Sequence, residues 1–155
     1  MKIETTILKN LLQNEDYARK VLPFLNDKYF TENSDKIIYN QINNFILKYN
    51  SLPNKEALNI ELSEAKITEE DFKESINLIN EIGKDDQEFS DLSWLLDSTE
   101  KFCQDKAIYN AVVESISILD NPKSTADKGA IPDILSDALA VSFDPHVGFD
   151  YIDDS

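Results

Sequence analysis

Apolar residues return every three or four positions along most of the chain, and β-branched runs do not alternate with polar ones, so the pattern is helical throughout. Ile3, Ile7, Leu8, Leu11 and Leu12 make one stripe, and a short helix from Glu15 to Leu22 stops against Pro23. Asn33 or Ser34 is placed to cap a third helix, on which Ile37, Ile38, Ile42, Phe45, Ile46 and Tyr49 trace a wide apolar face. After the break at Asn50-Ser51-Leu52, Pro53 suits the first position of a helix that runs to Leu62. Thr68-x-x-Asp71 has the form of a capping box, and the helix it starts carries Phe72, Ile76, Ile79 and Ile82 until Gly83 closes it.

From about Ser90 to Leu119 no proline or glycine interrupts the pattern, which predicts a rod of roughly 30 residues and ~45 Å. Its apolar positions include Leu92, Leu95, Leu96, Phe102, Tyr109, Val112, Val113, Ile116 and Leu119, and such a stripe must be covered by something. Asn121-Pro122 ends the rod, and Ile131-Pro132 starts a shorter helix with Ile134, Leu135, Leu139 and Val141, so the two read as a helical hairpin. The expected fold class is all-α. Its parts are a globular helical subdomain over 1–89, a helical hairpin over 90–143, and the start of a linker over 144–155.

Composition narrows the function. At 155 residues the chain is of single-domain size, and it has no apolar stretch near the ~18 residues that would span a bilayer. Met1-Lys2-Ile3-Glu4 does not open a secretory signal, and Cys103 alone cannot form an internal disulfide. The three glycines, Gly83, Gly129 and Gly148, are too far apart for either nucleotide-binding glycine motif. One histidine and one cysteine cannot furnish a zinc site, and Cys103 with His146 lies in no nucleophile signature. No catalytic, cofactor-binding or metal residue is assigned. Asp85, Asp86 and Glu88, like Asp150, Asp153 and Asp154, lack the calcium-loop pattern and read as solvated acid. Cys103 reads as a small buried hydrophobe, and Trp94 suits an interface anchor and core packing equally.

Charge is uneven. Thirty acidic and 15 basic residues give −15, a field that opposes direct nucleic-acid binding. Residues 1–60 hold eight basic and seven acidic side chains, so the remaining seven and 23 put −16 on residues 61–155. An acidic C-terminal portion of that kind can meet a basic partner. The hairpin offers the interface candidates Val112, Val113, Ile116 and Leu119, with Leu135 and Leu139 opposite, and Trp94 stands near the start of the rod.

The motif string carries a resemblance. Val21-Leu22-Pro23 with Tyr29-Phe30, Ser51-Leu52-Pro53, Ala57-Leu58-Asn59, Ser93-Trp94-Leu95 and Thr99-Glu100-Lys101 follow one another in register. They are followed by Gly129-Ala130-Ile131-Pro132-Asp133-Ile134, Ala138-Leu139, Ser142-Phe143-Asp144 and Val147-Gly148. Together they resemble the start of the DnaB-like replicative DNA helicases of T4-type bacteriophages, over essentially the whole chain. That family is hexameric and ATP-driven, moves 5′ to 3′ on the lagging-strand template and works with primase. The resemblance implies a non-catalytic N-terminal collar domain that supports hexamer assembly and recruits primase or the helicase loader in the cytoplasm of an infected bacterial host. The RecA-like motor, to which ATP and magnesium belong, has no counterpart in this sequence. The implied partners are a second copy of the chain, forming a weak dimer, then the phage primase and the helicase loader, with no nucleic acid and no membrane. Two other classes stay open: an acidic DNA mimic that inhibits DNA-binding proteins, and an α-helical hydrolase with an unrecognised carboxylate site. The near-neutral first 60 residues count against the mimic, and a buried carboxylate pair in a deep cleft would mark the hydrolase.

Overall fold

The computed structural model describes residues 2–84, 91–120 and 128–143, and among these there are seven α-helices and no strand. The all-α expectation holds. The chain forms two compact units that divide between Thr99 and Glu100. The division falls inside one helix. The linker expected over 144–155, the loop at Asn121-Pro122, His146 and both acidic clusters lie outside the described residues.

In the first unit the corners are set by polar side chains. Helices α1 (Ile3–Gln13) and α2 (Glu15–Val21) are separated by Asn14 alone. The Asn14 N–H closes the last turn of α1 on the Asn10 carbonyl at 2.9 Å, while its side-chain oxygen accepts from the Tyr17 N–H at 3.1 Å. One residue thus ends one helix and caps the next. Pro23 falls inside a 3-10 turn, Leu22–Phe24, which follows α2 directly. The irregular stretch beyond it is pinned to α3 (Asn33–Tyr49): the Tyr39 hydroxyl donates to the Leu25 carbonyl at 3.0 Å, and the rings of Phe30 and Tyr39 stack 5.4 Å apart.

Two caps differ from the sequence expectation. Neither Asn33 nor Ser34 caps α3, because the extended residue before the helix is Glu32, whose side chain makes no cap bond. Buried Phe30 fixes where the chain enters, and Asn33 is already helical. Pro53 is not the first residue of α4 (Lys55–Ser63) either. It is buried before the helix, and the cap is Asn54, whose side chain accepts from the Ala57 N–H at 2.7 Å. At α5 (Glu69–Ile82) the expected cap is found: Thr68 Oγ1 accepts from the Asp71 N–H at 3.1 Å, with Glu69, Glu70 and Asp71 placed favourably at the positive end of the helix. The helix stops at Gly83, where a Cβ would lie 2.9 Å from the Ile79 carbonyl oxygen, so a larger residue would force the backbone apart.

Helix α3 packs against α1, α4 and α5, and α5 also meets α1 and α4. The core between them holds Ile7, Leu8 and Leu11, then Ile38 and Ile42, then Leu58, Leu62, Ile79 and Ile82, none with measurable exposure. The first turns of α6 (Leu92–Asp120) join this unit through Leu95 and Thr99, whose hydroxyl lies 2.6 Å from the buried Tyr17 hydroxyl.

A carboxylate disturbs the core. Asp35, in the first turn of α3, is 2% exposed, and its Oδ2 accepts no hydrogen bond among the described residues. Lys2 approaches that oxygen only to 3.8 Å. Burial raises the Asp35 pKa above the usual carboxylate value, Lys2 opposes the rise, and Glu32, Glu4 and Glu81 add to it. A carboxyl whose folded pKa exceeds its unfolded one penalises the fold while ionised, and the penalty fades as pH falls through the folded value. Asp35→Asn is therefore expected to raise the melting temperature at pH 7 by roughly 2–4 °C, the shift that about 1 kcal/mol gives at this size. The advantage should shrink as both proteins are melted at pH values descending from 7 toward 4. A variant that melts below wild type at pH 7 would show that the attraction of Lys2 outweighs the desolvation.

Candidate functional site

The second unit is built on the rest of α6, from Glu100, and on α7 (Ile131–Leu139). Pro132 opens α7 at a position where its missing N–H costs nothing, after a 3-10 turn over Lys128–Ala130. Beyond α7 the chain is tied to α6. Gln104 Nε2 donates to the Val141 carbonyl at 3.1 Å, and Glu100 Oε2 accepts from the Phe143 N–H at 2.8 Å and the Ser142 hydroxyl at 3.3 Å. Residues that follow α7 thus lie beside the start of this stretch of α6.

The two sides of α6 carry different side chains. Buried are Phe102, Cys103, Ala107, Ala111, Ser115 and Ile118, mostly small, and the Ser115 hydroxyl is used internally by the Ala111 carbonyl at 2.8 Å. Exposed are Ile108, Tyr109, Val112, Val113, Ile116 and Leu119. Within the exposed set Tyr109, Val112, Ile116 and Leu119 are spaced three, four and three residues apart. That is the spacing of the seam along which two helices interlock side chains. These six large apolar residues face solvent, and covering the open half of each would return about 1 kcal/mol apiece.

The expected interface residues fall as follows. Val112, Val113, Ile116 and Leu119 share the exposed side, with Ile116 51% exposed. On α7, Leu139 is 72% exposed, Leu135 is half-buried, and Ala138 is the buried residue. Trp94 belongs to the first unit and is 52% exposed, so core packing is excluded for it; its N–H is held by Asp91 Oδ2 at 3.2 Å. Sequence reasoning did not assign Ile108 and Tyr109 to the interface. The three-four-three spacing that runs through Tyr109 was the available signal.

Among the described residues no group of three or more His, Cys, Asp or Glu could hold a metal. No helix among them is long and apolar enough to cross a membrane. The thiol of Cys103 is buried, and burial, with a smaller push from Glu100, raises its pKa from 9.0 to about 12.

No known family profile matches the chain. It is similar to a DnaB-like replicative helicase of Enterobacteria phage T4, with 35% identity over 156 residues that take in 96% of this chain. The resemblance carried by the motif string is therefore found across nearly the whole sequence. The chain spans about a third of that relative's length, 32%.

Because only the thiolate attacks disulfide reagents, the raised pKa leaves roughly a thousandfold fewer thiolates at pH 8 than an ordinary cysteine. Native protein is expected to react with a chromogenic disulfide reagent at least ~100-fold more slowly than urea-unfolded protein. Comparable rates would mean that α6 opens at Cys103 on the time scale of the assay.

Proposed function

We propose that this chain is the non-catalytic N-terminal collar domain of a phage replicative helicase that unwinds DNA at the replication fork. The observation that carries the reading is the similarity to the T4-phage DnaB-like replicative helicase along 96% of the chain, joined to a sequence in which no phosphate-binding glycine loop can be written. On this reading ATP and magnesium belong to a motor domain, the chain itself transforms nothing, and it acts in the cytoplasm of the infected host. Its work is assembly. The exposed seam of α6 meets a second copy, giving a weak dimer in isolation and a contact repeated around the hexamer in the full protein. The acidic excess beyond residue 60 serves as a docking region for a basic partner, the phage primase or the helicase loader, whose approach such a charge accelerates at low salt.

Self-association is tested by light scattering between ~10 and ~500 μM, a range that brackets a micromolar to submillimolar dimer. Wild type is expected to gain mass with concentration, and Ile116→Glu to weaken the dimer by at least ~100-fold, because the new carboxylate would be desolvated without a partner. Ile116 is half exposed in the single chain, so the variant should keep wild-type helicity. A monomeric wild type across the range, or a folded variant that associates equally well, would remove this surface from the collar reading.

The absence of catalysis is tested separately. Purified chain is expected to show no ATP turnover and to bind single-stranded DNA no tighter than ~10 μM at physiological salt, within the range of non-specific phosphate contacts. Turnover above that of a mock preparation, or tighter binding, would overturn it.

A further inference from the structure

A second apolar surface lies in the first unit. Ala18, Leu22 and Pro23 line a groove together with Ile46 and Leu47 of α3 and Leu52 of the loop that follows. The groove has a volume of about 390 Å³, and Leu47 is 75% exposed. Its polar lining consists of Asn43, Ser51 and Arg19, so a chain with 30 acidic residues contributes none of them here.

Arg19 is the sole arginine among the 15 basic residues. Its guanidinium is held in place rather than free to swing. Nε donates to Glu15 Oε2 at 2.9 Å, and the two terminal nitrogens donate to the side chain and carbonyl of Asn50 at 3.4 and 3.3 Å. Asn50 is the left-handed residue that ends α3, with φ of 54°, so the fork also fixes the corner beside the groove. A planar cation fixed beside an apolar slot is suited to a carboxylate, and arginine holds one in a defined orientation where lysine would not.

We infer that this groove receives an amphipathic helix from a partner protein, with apolar side chains in the slot and an acidic side chain directed at Arg19. A small molecule would fill the slot and leave Leu47 uncovered, whereas a helix with anchors at i, i+3 or i+4, and i+7 covers both. Charge complementarity selects an acidic helix. Residues 1–60 are close to neutral and no acidic residue lines the groove, Glu15 meeting Arg19 through Nε alone, while the −16 of residues 61–155 repels such a helix from the remainder of the chain. The inference goes beyond the collar reading and does not rest on it, since the groove and the α6 seam belong to different units. The basic partner proposed for the acidic region is of opposite charge and is a separate ligand.

The test is a nuclear magnetic resonance titration of the full isotopically labelled chain. The probe is a synthetic helical peptide with leucines at i, i+4 and i+7 flanked by glutamates, compared with a counterpart in which lysines replace the glutamates. The acidic peptide is expected to shift the amides of Leu22, Ile46, Leu47 and Leu52 and to bind ~10-fold more tightly than the lysine peptide, as one charge-assisted contact allows. Arg19→Gln should remove the preference, and Leu47→Glu should abolish binding by both peptides. Because Leu47 is largely exposed, that variant keeps the fold even if the loss of Arg19 loosens the Asn50 corner. Shifts that do not cluster on the groove, equal affinity for the two peptides, or a preference that survives Arg19→Gln would overturn the inference. So would shifts of these amides with protein concentration alone, which would assign the groove to a second copy. Light scattering of Leu47→Glu is expected to match wild type, which keeps this outcome distinct from failure of the α6 seam.

Discussion

In the second unit α6 carries large apolar side chains on its exposed side as well as its buried one, and much of the surface of that unit follows from this. A single neighbouring helix cannot cover both sides. The buried side of that stretch of α6 holds Phe102 and Ile118 at its ends and, between them, the small Cys103, Ala107, Ala111 and Ser115, which contribute little transferred area. The larger side chains of Tyr109, Val112, Ile116 and Leu119 remain toward solvent.

The first unit follows a different rule. There α1, α4 and α5 converge on α3, and the corners are closed by amides and hydroxyls at Asn14, Asn54 and Thr68. Each cap satisfies a backbone donor that would otherwise be left unpaired at a helix end. Asp35 is the exception, since it brings a carboxylate into the core with a distant lysine and several acids as company. That arrangement opposes folding at neutral pH. Among the described residues no second buried carboxylate is paired with it.

Two surfaces of different chemistry result. The α6 seam is apolar, with the helical spacing that suits a like partner, while the groove beside Arg19 joins apolar lining to a fixed cation in an otherwise acidic chain. The similarity to a phage replicative helicase covers about a third of that protein's length, 32%.

The helical class, the places where most helices begin and end, and the helicase resemblance were all legible in the amino-acid sequence. They depend on local spacing, on glycine and proline, and on motif order, none of which needs a third dimension. Val112, Val113, Ile116 and Leu119 were also legible as an uncovered face, because length alone made the long helix outrun its partner. Other features were decided only by tertiary structure. Whether Trp94 is inside or outside depends on which helices surround α6, and its position in the pattern fits both. The cap of α3 moved to Glu32 because buried Phe30 sets the entry of the chain, a long-range effect that overrides capping preference. The burden at Asp35 comes first from its burial, to which residues as remote as Glu81 add, and the groove beside Arg19 joins Leu22 with Leu47 and Leu52. Periodicity assigns a residue to a face of its own helix. Packing alone determines what that face meets.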